Sequence, residues 1–214
     1  MIKGVLFDMD GVLVDSEPFI CKAAVAMFNE LGHKVQESDF LPFVGAGEDR
    51  YLGGVAEKYG IKLEIEKAKK RTYEIYEEII QGNMKPLPGV REFLRKCRNR
   101  NLKIALATSA DKTKMEANLK SMDLPLSVFD AAVNGLDIER KKPFPDIYLK
   151  AARLIGLSPE ECLVVEDAVN GIQAGKAAGA KCLAITSSFS REELSGADWF
   201  SEDLASAPDE VLNW

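Results

Sequence analysis

The chain of 214 residues contains a single histidine, His33, and four widely spaced cysteines that form no CxxC pair. These scarcities exclude a metal centre built from histidine and cysteine ligands, and they make a disulfide framework unexpected. No stretch reaches the ~20 apolar residues that a membrane helix requires, so no membrane partner is expected. The first residues also lack the basic segment and the long apolar segment of a secretory leader. A cytoplasmic location is therefore expected.

An excess of basic residues is absent as well. The chain has 28 lysines and arginines against 34 acidic residues, which gives a net charge of -6. This balance argues against nucleic acid or an anionic membrane surface as the main partner. With 46% hydrophobic residues, the chain can bury a substantial core as one large domain or as a domain that carries an insertion. We expect it to fold alone, as a monomer.

Short apolar runs recur along the chain and are separated by segments in which apolar residues have helical spacing. This alternation predicts an α/β protein with βαβ units and a parallel sheet that is covered on both faces. The predicted strands are 5–7, 104–107, 131–133, 163–165 and 182–185, and the predicted helices between them are 90–100, 112–122, 146–155 and 172–178.

The segment between the first two predicted strands is too long for a simple crossover and has a purely helical pattern. Its predicted helices are 19–31, 49–59 and 65–80. Turn-forming residues flank it on both sides, which indicates hinges. We therefore predict a core domain of residues 1–15 and 84–214 and an inserted helical domain of residues 16–83. The aromatic residues at helical spacing in the insertion, Phe28, Tyr73 and Tyr76, are expected to form its core rather than a substrate pocket.

Two aspartates, Asp8 and Asp10, come directly after the first apolar run and before Gly11. Side chains at positions i and i+2 of an extended segment share one face, so both carboxylates would project together from the strand tip. Crowded carboxylates of this kind favour a cation. An acidic pair before a glycine is also typical of a solvated turn, so the pair alone leaves both interpretations open.

Polar residues end two further predicted strands. Thr108 and Ser109 follow the second, and Glu166 and Asp167 end the fourth, whereas Lys142 precedes a helix. Each group alone could be a helix cap or a solvated loop. Ligands of open α/β sheets bind outside the carboxyl ends of the strands, where the order of the chain reverses. The sequence therefore predicts that these groups and the aspartate pair face one site.

Four ordered motifs carry a resemblance to a known family. They are Asp8-Met9-Asp10-Gly11-Val12, Thr108 after an apolar strand, Lys142-Pro143 with Pro145-Asp146, and Glu166-Asp167 before Asn170-Gly171. This set resembles the motifs of the haloacid dehalogenase superfamily, and the match spans nearly the whole chain. The helical insertion resembles the small cap of subfamily IA, which includes β-phosphoglucomutases and sugar-phosphate phosphatases. The resemblance implies a Rossmann-like core with a mobile α-helical cap.

The resemblance also implies catalytic roles. Asp8 would attack phosphorus and form an aspartyl-phosphate. Asp10 would protonate the leaving alkoxide and later take a proton from water. Thr108, the backbone amide of Ser109 and Lys142 would hold the phosphoryl oxygens.

The implied cofactor is Mg²⁺. The Asp8 carboxylate, the Asp10 carbonyl and Asp167 would hold it, and Glu166 would assist directly or through water. Four carboxylates beside a phosphate require such an offset of charge, to which Lys142 would contribute.

Asp10 favours phosphoryl transfer over halide displacement, because a halide needs no proton. The expected substrate is a small phosphorylated metabolite, in particular a sugar phosphate, and hydrolysis is preferred. A β-phosphoglucomutase activity is the alternative, although Ile20 stands where those mutases typically carry a histidine. A noncatalytic phosphate-ligand binder or regulator is a third possibility. The cap loop that contains Gly45, Gly47, Glu48 and Arg50 is the predicted determinant of specificity.

Overall fold

The computed structural model describes residues 1–44 and 47–214. The chain forms two compact units, one made of Met1–Asp15 with Lys85–Trp214 and one made of Ser16–Met84. The sequence placed the second boundary one residue earlier, between 83 and 84. Met84 belongs to the helical unit because its side chain is buried and its sulfur accepts a hydrogen bond from the Tyr76 hydroxyl at 3.7 Å.

The smaller unit is helical, and aromatic side chains make up much of its core. Its helices are α1 (Glu17–Glu30), α2 (Glu48–Tyr59) and α3 (Ile65–Ile80). The ring of Phe40 lies 6.1 Å from that of Phe28 and 4.8 Å from that of Tyr51, measured between centroids. Tyr73 and Tyr76 are also buried. The expectation that Phe28, Tyr73 and Tyr76 form core is confirmed.

The larger unit contains a six-stranded sheet in which every paired strand is parallel to its neighbour. The strands are β1 (Gly4–Phe7), β2 (Lys103–Ala107), β3 (Ala131–Val133), β4 (Cys162–Glu166), β5 (Lys181–Ile185) and β6 (Trp199–Ser201). Their spatial order is β3-β2-β1-β4-β5-β6. The chain thus moves outward from β1 to β3 and then resumes on the other side of β1 at β4. The switch point lies between β1 and β4, where such sheets bind ligands.

The five predicted strands are all present, and β6 is an additional one. β6 has only three residues and forms the edge of the sheet beside β5. Trp199 and Phe200 are only partly buried there. Each of the other strands is separated from the next by an α-helix, whereas no α-helix lies between β5 and β6 among the described residues, so β6 falls outside the alternation on which the prediction rests.

Helices cover the sheet, and alternate strand residues face different layers. The helices of this unit are α4 (Val90–Asn99), α5 (Lys112–Ser121), α6 (Asp146–Leu154) and α7 (Val169–Ala178). Leu6 packs in the cluster that contains the buried residues of α6 and α7. Its neighbour Phe7 meets Phe93 of α4 edge to face, with ring centroids 6.0 Å apart. Burial on both faces explains why β1 is apolar at every position.

The described residues include no membrane-spanning helix, and their four cysteines are free. No helix among them is long and apolar enough to cross a membrane. Cys97, Cys162 and Cys182 are buried free thiols, and burial raises the pKa of each to about 12. Cys21 is also free but only half-buried. Three of the four cysteines are therefore inert core residues.

A substitution at Gly89, which lies directly before α4, tests the packing of the larger unit. Its φ is +79°, and a Cβ there would overlap the backbone of Ala205. We predict that Gly89→Ala lowers the free energy of unfolding by about 3 kcal/mol, because left-handed strain of about 1 kcal/mol adds to a backbone clash. Urea unfolding measures the change.

Gly156→Ala is the matched control. Gly156 has a φ of +74°, but its added Cβ would meet no heavy atom within 4 Å among the described residues. This variant should lose only about 1 kcal/mol. Equal losses in the two variants would contradict the close approach of Ala205 to Gly89.

Candidate active site

Three of the predicted site residues of the larger unit lie at the carboxyl ends of three adjacent strands. Asp8 follows β1, Thr108 follows β2, and Asp167 follows β4. Since β1 pairs with both β2 and β4, these three positions lie side by side at the carboxyl end of the sheet. The site therefore lies beside the topological switch point.

Lys142 forms ion pairs with two of the carboxylates. Its Nζ lies 2.5 Å from Oδ1 of Asp8 and 2.6 Å from Oε1 of Glu166, and its side chain is only 6% exposed. Burial by itself lowers the pKa of Lys142, but the two carboxylates outweigh it and raise that pKa above its ordinary value. Lys142 is therefore a fixed ammonium ion, and its Nζ contacts the predicted nucleophile.

Glu166 uses both of its oxygens for protein hydrogen bonds. Oε1 accepts from Lys142 and from the Tyr148 hydroxyl at 2.8 Å, while Oε2 accepts from the backbone N–H groups of Asp167 and Ala168 at 3.0 Å each. These four bonds account for the usual acceptor capacity of a carboxylate. The arrangement favours a positioning role for Glu166 toward Lys142 over direct contact with a metal.

The loop that follows Asp8 is a tight turn, and it contains Asp10. The N–H of Gly11 donates to the carbonyl of Val14 at 2.7 Å, and the hydroxyl of Ser187 donates to the carbonyl of Gly11 at 2.7 Å. Gly11 has a φ of +76°, and a Cβ there would overlap the carboxylate of Asp167. Glycine is required at this position for its backbone conformation and for its lack of a side chain.

Two residues of α5 hold the carboxylate of Asp10, which remains partly exposed. Nζ of Lys114 lies 3.2 Å from Oδ2, and Nδ2 of Asn118 lies 3.4 Å from Oδ1. Both donors are buried residues of α5. The Asp10 side chain nevertheless remains 33% exposed, so it can meet a substrate or water.

Oxygen atoms of Asp8, Glu166 and Asp167 lie within 4.8 Å of one another, and all three residues are buried. Hard, anionic oxygen donors in this number fit Mg²⁺, which usually takes one or two carboxylates and keeps several waters. Because Glu166 is engaged by four donors, Asp8 and Asp167 are the carboxylates that fit direct coordination best.

The ionisable residues of the site by themselves have a deficit of positive charge. Burial raises the pKa of Asp8 well above its ordinary value; Lys142 opposes this, and neighbouring carboxylates reinforce it. Burial also raises the pKa of Asp167 to about 7, with a further rise from Glu166 and an opposing hydrogen bond from Ser188. A divalent cation bound here would relieve the repulsion.

Thr108 and Ser109 form the β2 side of the site. The backbone N–H of Thr108 continues the ladder by donating to Val133 at 3.0 Å, and its fully buried hydroxyl accepts from the N–H of Ala110 at 3.1 Å. The cap of α5 is Asp111, not Thr108. Thr108 therefore shapes the loop between β2 and α5, and Ser109 is partly exposed within it.

The predicted specificity residues belong to the helical unit. Gly45 lies outside the described residues, whereas Gly47 precedes α2 with a φ of +85°. Glu48 is buried in the first turn of α2. The guanidinium of Arg50 pairs with Glu57 at 2.8 Å and lies 5.0 Å from the centroid of the Phe43 ring. Arg50 is thus engaged within its own unit.

Sequence reasoning missed four residues that contact the predicted site: Tyr148, Lys114, Asn118 and Ser188. Tyr148 occupies a buried helical position where an aromatic residue normally indicates core. Lys114 and Asn118 are polar residues four positions apart on the buried face of α5, but a lysine on a helix is most often solvated, so this spacing alone did not indicate a contact with the site. Ser188 lies in the loop after β5, and its sequence carries no comparable pattern.

The chain is similar to a known protein family and to several known proteins. The family model described as "Hydrolase: haloacid dehalogenase-like hydrolase" matches residues 2–179. The protein SUPPRESSOR OF QUENCHING 1, chloroplastic, of Arabidopsis thaliana is 44% identical over 92% of this chain, which spans only 19% of the length of that relative. The phosphorylated carbohydrates phosphatase of Thermotoga maritima is 34% identical over 83% of this chain and 82% of its own length.

Solved structures also resemble this chain in fold. The crystal structure of CbbY from Rhodobacter sphaeroides in complex with phosphate matches with a TM-score of 0.85 at 26% identity, over 96% of each chain. The family model covers the segment that contains all four motifs and the carboxyl ends of β1, β2 and β4. The chain belongs to the haloacid dehalogenase-like hydrolase family.

Proposed function

We propose that this protein is a Mg²⁺-dependent phosphatase that hydrolyses small phosphomonoesters, sugar phosphates in particular, through an aspartyl-phosphate on Asp8. The observation that carries the proposal is the pairing of Asp8 with Lys142 at 2.5 Å, with a partly exposed Asp10 two residues away. A nucleophile, a phosphate-binding cation and a proton carrier are thereby collected in one site. Hydrolysis of a phosphate ester needs all three.

In the first step, a carboxylate oxygen of Asp8 attacks phosphorus and the ester P–O bond breaks. The proton of Asp10 passes to the leaving alkoxide, which departs as an alcohol. Lys142, placed by Glu166, donates to a phosphoryl oxygen as charge redistributes. Thr108 and the amide of Ser109 serve the other phosphoryl oxygens from the β2 side.

In the second step, water hydrolyses the aspartyl-phosphate. Asp10, now ionised, takes a proton from the attacking water, and the bond between Asp8 and phosphorus breaks to release inorganic phosphate. One carboxyl group thereby acts as acid and then as base, as microscopic reversibility allows. The partial exposure of its side chain suits both roles.

Asp8 and Asp167, with the carbonyl of Asp10, would hold Mg²⁺, which when bound offsets the negative charge shared by the carboxylates and the phosphoryl group. Glu166 contributes by orienting Lys142. The chain's own lysines supply only part of the required positive charge, since four carboxylates face two ammonium groups, those of Lys142 and Lys114.

The substrate class is supported by the relatives. The Thermotoga maritima protein is named as a phosphatase of phosphorylated carbohydrates, and the CbbY structure was solved with phosphate. The segment was predicted to be a loop, but Glu48 and Arg50 lie in the first turn of α2 and only Gly47 precedes that helix. These three residues remain the proposed specificity element. A cytoplasmic location and a monomeric state complete the proposal.

A screen over small phosphomonoesters tests the function directly. The wild-type protein with Mg²⁺ should release phosphate from sugar phosphates, and Asp8→Asn should abolish turnover because the amide cannot attack phosphorus. Phosphate release and product identity are measured together. Conversion of β-glucose 1-phosphate to glucose 6-phosphate with little free phosphate would instead establish a mutase, and phosphate-ligand binding without turnover would establish a binder.

Thermal unfolding in excess chelator tests the metal site. Because the pKa of Asp167 is about 7 in the folded state and 3.8 ordinarily, the folded state binds the proton more tightly, and stability falls as pH rises from about 4 to 7. Asp167→Asn removes the charge, so we expect a higher Tm than wild type at pH 8 and little difference at pH 4. Adding Mg²⁺ at pH 8 should stabilise wild type more than the variant.

Asp123→Asn is the matched control, because the Asp123 side chain is 99% exposed. It should respond to pH and to Mg²⁺ as wild type does. Equal stabilisation of wild type and Asp167→Asn by Mg²⁺ would rule out Asp167 as a ligand.

A further inference from the structure

Two residues of α5 contact the Asp10 carboxylate, and neither belongs to the four motifs. Lys114 lies 3.2 Å from one carboxylate oxygen and Asn118 lies 3.4 Å from the other. They are four positions apart, so they lie on the same face of the helix. One donor on each oxygen restricts rotation of the carboxylate about its terminal bond.

The two residues that contact Asp10 are both buried, which is unusual for a lysine. The Lys114 side chain is 7% exposed and Asn118 is fully buried. A lysine ammonium is costly to bury unless an anionic partner compensates it, and lysine is rarely found on the buried face of a helix. The same face carries Met115 and Leu119, which are ordinary buried apolar residues.

Asp10 remains partly exposed beside this contact. Its side chain retains 33% exposure although two donors hold it. The tight turn that contains Gly11 fixes its backbone, as described above. Asp10 is thus held at its backbone and at both carboxylate oxygens, while part of its side chain stays exposed.

We propose that Lys114 and Asn118 are positioning residues that orient Asp10 for proton transfer to the leaving oxygen. The proposal rests on the phosphatase function proposed above. The proton that Asp10 gives to the alkoxide must travel along one direction, and a freely rotating carboxyl group would present it there only part of the time. Neither Lys114 nor Asn118 needs to touch the substrate.

The choice of leaving group separates this role from a general structural one. An alkoxide leaving from a sugar phosphate requires a proton, whereas 4-nitrophenolate leaves without one. The kcat/KM value reports the step in which the leaving group departs. Loss of Asp10 orientation should therefore lower kcat/KM for sugar phosphates far more than for 4-nitrophenyl phosphate.

Lys114→Met removes the ammonium and keeps most of the side-chain volume. We expect kcat/KM to fall on the order of 10- to 100-fold for a sugar phosphate and by less than ~3-fold for 4-nitrophenyl phosphate, part of the 10²- to 10⁴-fold effect of a general acid. Asn118→Leu should show the same selective loss. Asp10→Asn should show it more strongly.

Lys120→Met is the matched control, because Lys120 is an exposed lysine of the same helix. It should leave both kcat/KM values unchanged. Thermal unfolding of every variant confirms that it is folded, and if Lys114→Met does not fold, Asn118→Leu decides the question. An equal loss for both substrates would overturn the proposal, as would no loss for either.

Crystal structures of wild type, Lys114→Met and Asn118→Leu provide a readout that does not depend on turnover. The proposal expects the Asp10 carboxylate to turn or to occupy more than one orientation in the variants. An unchanged, single orientation in both would overturn it. If wild type hydrolyses no phosphate ester, the proposed function fails, and these structures still decide whether Lys114 and Asn118 position Asp10.

Discussion

The ion pairs of Lys142 with Asp8 and Glu166 are the interaction on which the candidate site depends. An ammonium ion that is only 6% exposed, at 2.5 and 2.6 Å from two carboxylates, is tolerated because each charge compensates the others, and removal of one partner leaves a buried charge unpaired. The arrangement requires β1 and β4 to be neighbours, with the loop before α6 reaching their carboxyl ends. The reversal of strand order between β1 and β4 meets that requirement, so the topology of the sheet and the chemistry of the site are one constraint.

Four carboxylates share this small space, and their surroundings give them different properties. Asp8 and Asp167 are buried, which raises the pKa of each. Glu166 is bound by four donors and is a structural anion. Asp10 is held by two residues of α5 yet remains partly exposed. Differences in burial and in hydrogen bonding are the usual means by which carboxyl groups of one site acquire separate roles.

Much of this organisation could be predicted from the sequence. Five of the six strands and the helices between them follow from apolar runs and helical spacing, and the ends of β1, β2 and β4 carry the motif residues. The edge strand β6 was not predicted, because no α-helix of the described residues separates it from β5 and the alternation of apolar runs with helical segments stops there. Tyr148 and Lys114 also escaped prediction, since a buried aromatic residue and a lysine on a helix are most often core and solvated surface. Their roles depend on the neighbours that folding supplies.

The sequence by itself determined which chemical groups the protein can use and the strand ends at which they stand, because residue type and apolar periodicity are local properties. It also determined that a helical segment interrupts the core after the first strand. Only the tertiary structure decided which cation pairs with which carboxylate. Lys142 and Asp8 are 134 positions apart and Lys114 and Asp10 are 104 apart. Contacts at such separations are set by the order of the strands and by the packing of α5 and α6, and no spacing along the chain encodes them.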